Sequence, residues 1–240
     1  MTTHQAAPVT GATAKGLRAS CPTVWESLHA HPFLREMATG TLSLDRFRFY
    51  LEQDTMYLEE YAKVMALGAA RAARVDEVAW LRDSMDNIVD NELPRNRELL
   101  VRIVEMGAAD RGGSRAMAPT TLAYTSFLTT TAYRGDALDV MVAILPCAVS
   151  YREIALTLVD QIAPDSLYTA WMEFFVGDFY GRRLSQMQAN LDELAARVGE
   201  GRTAALREVF ATASRLEVAF WDMAYHCRQW PDLAVEVGRG

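Results

Sequence analysis

Apolar residues recur with a helical period along almost the whole chain, and no run alternates apolar and polar residues convincingly enough for a strand. That pattern restricts the fold class to all-α. A stripe repeating every 3.6 residues lies on one side of a helix, but would scatter over both faces of a strand. The pattern predicts a first helix over 17–30, an interruption at His31-Pro32, and a short helical piece ending at Thr39-Gly40. Ser43 is expected as an N-cap with Asp45 in the positive first turn, opening one long helix along LDRFRFYLEQDTMYLEEYAKVMALGAARAA. A further helical region spans 76–106, which Pro94 is expected to kink or split. After the turn-rich loop AADRGGSRAMAP a helix covers 120–133, and Gly135-Asp136 reads as a stop followed by a fresh N-cap. The next helix reaches Gln161. Another is expected from Pro164-Asp165-Ser166 to Val198, and the last spans 202–227 before Pro231. No fixed-period repeat or long linker divides the 240 residues. The expectation is one all-α domain of seven to nine helices over 17–230, with a flexible N-terminal tail (1–16) and a C-terminal tail (231–240).

Charge narrows the function classes. With 24 basic against 31 acidic side chains the net charge is −7, which argues against non-specific nucleic-acid binding. No apolar run is read as approaching the ~20 residues of a membrane span. The polar start MTTHQAAPVTGATAKG lacks the apolar centre of a secretory signal. Three widely spaced cysteines without a CxxC pair argue against a disulfide framework, so a reducing cytoplasm is the expected location.

Three helix faces carry unusual polar residues. Asp54, Tyr57 and Tyr61 share the inward side of the long helix; a carboxylate there must be hydrogen-bonded, and a neighbouring tyrosine hydroxyl is the plain solution. Glu217 shares a face with Phe220, Trp221 and Tyr225. It is either an exposed or salt-bridged glutamate on a half-buried helix, or a buried acid able to hold a proton near neutrality. Cys147 sits in ILPCAVSYREIA, after a proline that should loosen the preceding turn, with Tyr151 one turn on. It is either a small core residue or a thiol that does chemistry, and chemistry requires something that favours thiolate. Glu26 and His29 form one E-x-x-H, whereas a di-iron bundle needs two, so no metal and no cofactor is expected. Walker, GxGxxG and GxSxG motifs are absent, and the acidic stretch DEVAWLRDSMDNIVDNE reads as a solvated face.

Together these segments resemble the TenA family, also called thiaminase II. The likeness covers about 17–230 and rests on TGTLSLDRFRFYLEQDTMYLEEYAKV, APTTLAYTSFL, AILPCAVSYREIA, WMEFFVGDFY and EVAFWDMAY, in that order and spacing. The resemblance implies a haem-oxygenase-like helical bundle without haem, assembled as a homotetramer. It also implies a small-molecule substrate, thiamin or 4-amino-5-aminomethyl-2-methylpyrimidine, hydrolysed to the hydroxymethylpyrimidine of thiamin salvage. By the same resemblance Cys147 is the nucleophile and Glu217 binds and protonates a ring nitrogen. Asp54 holds the aminopyrimidine edge, and Tyr57, Tyr124 and Tyr151 orient the ring, the thiol or the water.

The implied chemistry suits those residue types. Thiolate addition to the ring carbon beside the attachment point breaks aromaticity, nitrogen protonation stabilises the adduct, and the substituent is then expelled. Phe175 departs from the family pattern, standing where a tyrosine is usual. One lost hydrogen bond of about 1–3 kcal/mol is worth roughly 5- to 150-fold in rate if the transition state uses it. That departure keeps open an alternative, a pyrimidine-binding or regulatory protein with weak or altered turnover. Glu173, on the same segment, would alter the pocket or face solvent. An oxidase on this fold would need a His/carboxylate cluster, which four scattered histidines do not supply.

Overall fold

Proline and glycine cut the helical pattern into more pieces than the sequence reading expects. The computed structural model describes residues 11–162 and 166–231. The α-helices in order are α1 (Ala12–Ala19), α2 (Pro22–His29), α3 (Pro32–Ala38), α4 (Leu44–Ala70), α5 (Val75–Asn87), α6 (Leu93–Glu105), α7 (Pro119–Arg134), α8 (Ala137–Leu158), α9 (Leu167–Val176), α10 (Asp178–Ala195) and α11 (Glu200–His226). A π turn (Ile88–Glu92) joins α5 to α6, and a 3-10 turn (Val159–Gln161) ends α8; no strand occurs among the described residues. The all-α expectation holds.

The extra breaks have local causes. The helix expected over 17–30 is two helices, because Pro22 opens α2 and its predecessor Cys21 leaves helical geometry. Helix also begins earlier than expected, inside the stretch set aside as tail. The amide groups of Gly11, Ala12 and Thr13 are held by the Gln188 and Asp192 side chains of α10 at 2.7–3.1 Å, which anchors α1. Residues 1–10 and 232–240, the remainder of the two expected tails, lie outside the described residues. The helix expected to reach Val198 is divided at Gly177, whose extended backbone separates α9 from α10. Ser166 caps α9 at the Thr169 amide; Pro164 and Asp165 lie outside the described residues. Pro94 does split its region, through the π turn just before it.

Two long helices form the centre. Ser43 caps α4 as expected, and α4 packs on α5, α6, α7, α8 and α11. The close crossing with α8 depends on Gly68, where a Cβ would meet the Val140 side chain at 3.0 Å. Asp136 and Asp139 form a reciprocal capping box at the head of α8. With its 3-10 extension, α8 spans 25 residues and is long and apolar enough by composition to cross a membrane, so the expectation that no run approaches that length is corrected. Within this fold 72% of its most apolar stretch is buried, as for a helix apolar on all sides at the centre of a bundle. Pro146 does not interrupt α8. The Tyr61 hydroxyl donates to the Ile144 carbonyl (2.9 Å) and the Tyr180 hydroxyl to that of Ala148 (3.1 Å), so two tyrosines brace the backbone on either side of Cys147.

Candidate active site

The inward faces of α4, α8 and α11 meet where their polar residues lie. Asp54, Tyr57, Cys147, Tyr151 and Glu217 are all buried, joined by Tyr124 from α7 and Phe175 from α9. The structure therefore brings together the seven residues that the family resemblance assigned to the site. Aromatic rings pack between them: Tyr57 lies 4.9 Å from Tyr124 and 5.6 Å from Phe220, and Tyr151 lies 5.1 Å from Phe175. Glu173 is exposed, on the far side of α9 from this cluster.

Each acid has one defined donor. The Tyr124 hydroxyl donates to Glu217 Oε1 at 2.7 Å. Glu217 is 2% exposed, which corrects the plain reading of an exposed or salt-bridged side chain. Burial raises its pKa to about 7, against the opposing bond from Tyr124. Asp54 accepts from the Asn96 amide at 2.7 Å, so its main donor is a residue of α6 that sequence reasoning did not single out. Tyr50 supports the carboxylate from its own helix, yet burial still raises Asp54 to about 7. The Tyr57 hydroxyl is buried beside Cys147 and Tyr124 and makes no well-formed hydrogen bond among the described residues.

A third acid was missed altogether. Glu92, on the π turn, is 7% exposed, and burial followed by the charge of Asp54 raises its pKa to about 8. It belongs to the acidic stretch read as a solvated face. Glu77, Leu81, Asn87 and Ile88 of that stretch are buried too, so the reading is corrected for one side of it. Glu92 and Cys147 line the same cavity, which opens between α5 and α10. Its walls include Tyr61, Trp80, Met141 and Tyr180, and an Asp83–Arg183 ion pair at 3.7 Å joins the two helices at its mouth.

These surroundings decide the state of the thiol. Burial pushes Cys147 well above the ordinary thiol range, and Glu217, Glu92 and Asp54 push it further, with Tyr57 opposing them. The strongest charges acting on it are all carboxylates. A bare thiolate is disfavoured here, so sulfur can attack only if its proton moves as the S–C bond forms. Glu217 is the acceptor beside it, the carboxyl group that acts on the thiol most strongly. No group of three or more His, Cys, Asp or Glu side chains suited to a metal ion occurs among the described residues.

Comparison with known proteins places the chain in a family. Residues 18–227 match the model of the TENA/THI-4/PQQC family. The aminopyrimidine aminohydrolase of Halalkalibacterium halodurans is 32% identical over 209 residues, covering 86% of this chain and 92% of that protein. The enzyme of the same name from Bacillus subtilis is 30% identical over 212 residues, covering 88% and 89%. Among solved structures, a TenA homologue from P. horikoshii superposes with a TM-score of 0.78 at 28% identity, covering 89% of this chain and 98% of that one. A protein described as a TenA family transcription regulator from Silicibacter sp. superposes at 0.80 with 26% identity, covering 90% and 97%. This chain belongs to the TENA/THI-4/PQQC family, and its fold is the all-helical, haem-oxygenase-like fold of the TenA proteins.

Proposed function

We propose that this protein is a hydrolase of thiamin salvage. It replaces the substituent on the exocyclic methylene of a 4-amino-2-methylpyrimidine with a hydroxyl group drawn from water. What supports this reading is that Cys147, Glu217 and Asp54, from three helices, are buried in one aromatic cluster, where both carboxyl groups act on the thiol. The aminopyrimidine aminohydrolases at 30–32% identity support the reaction class.

A flat aminopyrimidine fits the donors and acceptors in place. Asp54, held by Asn96, takes the amino edge of the ring; Glu217, held by Tyr124, takes a ring nitrogen; the Tyr57 hydroxyl donates to the ring or its substituent. Cys147 sulfur then bonds to the ring carbon beside the attachment point while its proton passes through Glu217 to the ring nitrogen. Neither charge need be stranded in a dry site. The electron-rich adduct expels the substituent with its bonding pair, leaving an exocyclic methylene. Water adds there, its spare proton passing to the expelled amine or, when a neutral thiazole has left, to solvent; the S–C bond breaks, and the ring-nitrogen proton returns through Glu217 to sulfur. General acid–base transfer of this kind contributes roughly 10²–10⁴-fold. Tyr151, one turn from the thiol and bonded to Tyr50 at 3.1 Å, orients the sulfur side of the ring. Phe175 contributes an apolar ring surface there.

The test is to incubate the pure protein with aminomethylpyrimidine and with thiamin and to follow hydroxymethylpyrimidine by chromatography. Turnover of at least one compound that is lost in Cys147→Ser is the expected result. Tight binding of both without turnover by the wild type would overturn the hydrolase in favour of a binding protein.

A further inference from the structure

Glu92 is the one buried acid of the site that the steps above leave unused. Unlike Asp54 and Glu217, its carboxylate receives no hydrogen bond or ion pair among the described residues. It is not sealed in the protein either, since it lines the cavity that Cys147 also lines. Asp54, Tyr57, Tyr124 and Glu217 are not part of that lining. Cys147 thus belongs both to the packed cluster of acids and hydroxyls and to an open cavity whose buried acid is Glu92. For a ring bonded to this sulfur at the carbon beside its attachment point, that cavity is the open space available to the substituent.

We propose that Glu92 is a catalytic acid on the leaving-group side, delivering a proton to the departing amine of an aminomethylpyrimidine. The proposal rests on the hydrolase reading above. As the methylene C–N bond breaks, the bonding pair goes to nitrogen and the Glu92 O–H proton joins it, so that ammonia departs. The Glu92 carboxylate then takes a proton from water as the water oxygen bonds to the methylene, which restores the acid. One amine and one water are consumed, one alcohol and one ammonia are formed, and Glu92 ends as it began. The low exposure of the Glu92 carboxyl suits this, because an acid and an amine that are both neutral cost less to bury than an ion pair. The raised pKa keeps the proton on Glu92 until the amine needs it.

Leaving groups differ in their need for that proton. The thiazolium of thiamin departs as a neutral thiazole carrying the bonding pair and requires none. Glu92→Gln keeps the shape and removes the transferable proton. It is expected to lower kcat/KM for aminomethylpyrimidine by about 10²–10⁴-fold, while thiamin cleavage falls less than about 10-fold. Thiamin turnover by the variant also reports that it is folded. Equal losses on both substrates, or no loss on the amine, would overturn the role of Glu92 and leave the hydrolase reading intact. A wild type that turns over neither compound would overturn both.

Discussion

A thiol among three carboxyl groups is a poor nucleophile until a proton has somewhere to go. The hydroxyl of Tyr124 therefore controls more than geometry. It donates to Glu217 at 2.7 Å and so favours the ionised carboxylate that accepts the thiol proton. Tyr124→Phe should raise the Glu217 pKa further and shift the acid side of the kcat/KM profile to higher pH, with a loss of about 10-fold or more near neutrality. A pH–rate profile of the variant checks this, and an unshifted profile would mean that Tyr124 only fills space. At this scale the sequence was informative about identity and silent about partners. The spacing of Asp54, Tyr57 and Tyr61 along one helix placed them on a common side, but nothing in it links Asp54 to Asn96, because that bond joins α4 to α6. Phe175 is similar. Its missing hydroxyl is legible in the sequence, whereas the ring of Tyr180 packed 5.2 Å away is a matter of tertiary structure.

Helices were legible wherever the 3.6-residue phase is unbroken, and misread where something resets it. The π turn Ile88–Glu92 is the instructive case. It fits an extra residue into one turn, so the phase before it does not predict the side on which Glu92 falls. Val89 on the same turn is about half exposed while Glu92 is buried, which is why a solvated face was read for the whole stretch. Connections between elements were the least legible. Gln53 illustrates why, since a polar residue within α4 gives no sign of what it reaches. Its amide nitrogen donates to the Gly113 and Ala116 carbonyls, and its oxygen accepts from the Ala118 amide and the Thr121 hydroxyl at 2.5–2.9 Å. One side chain thus ties the 107–118 loop and the head of α7 to α4, and fixes where Tyr124 stands. Gln53→Leu leaves the buried Gly113 carbonyl and Ala118 amide without these partners and should cost about 2–4 kcal/mol of stability. Denaturant unfolding measures this, and a change below about 0.5 kcal/mol would show that the loop is held by other contacts.

At the scale of the whole molecule, the site sets acidic chemistry against folding. Asp54, Glu92 and Glu217 have pKa values raised to about 7, 8 and 7 by burial, well above those of carboxyl groups in an unfolded chain. Between the unfolded and folded values the native state binds more protons than the unfolded chain, so unfolding free energy falls as pH rises. The stabilisation is fully present below about pH 4 and is lost progressively up to about pH 8. This is opposite in sign to the acid denaturation of a protein with salt-bridged carboxylates. The three acids act on one another, so their effects are not additive and sum to on the order of a few kcal/mol. The apo protein should therefore lose thermal stability from pH 5 to pH 8, and Glu92→Gln should flatten that slope, since glutamine has no proton to lose. Melting temperatures across this range, for wild type and variant, provide the measurement. A substrate that shares protons with these acids should restore stability most at the alkaline end. A wild-type melting temperature that rises steadily from pH 5 to pH 8 would mean that the carboxyl groups are ionised and solvated in the native state, and the proton transfers built on them would lose their basis.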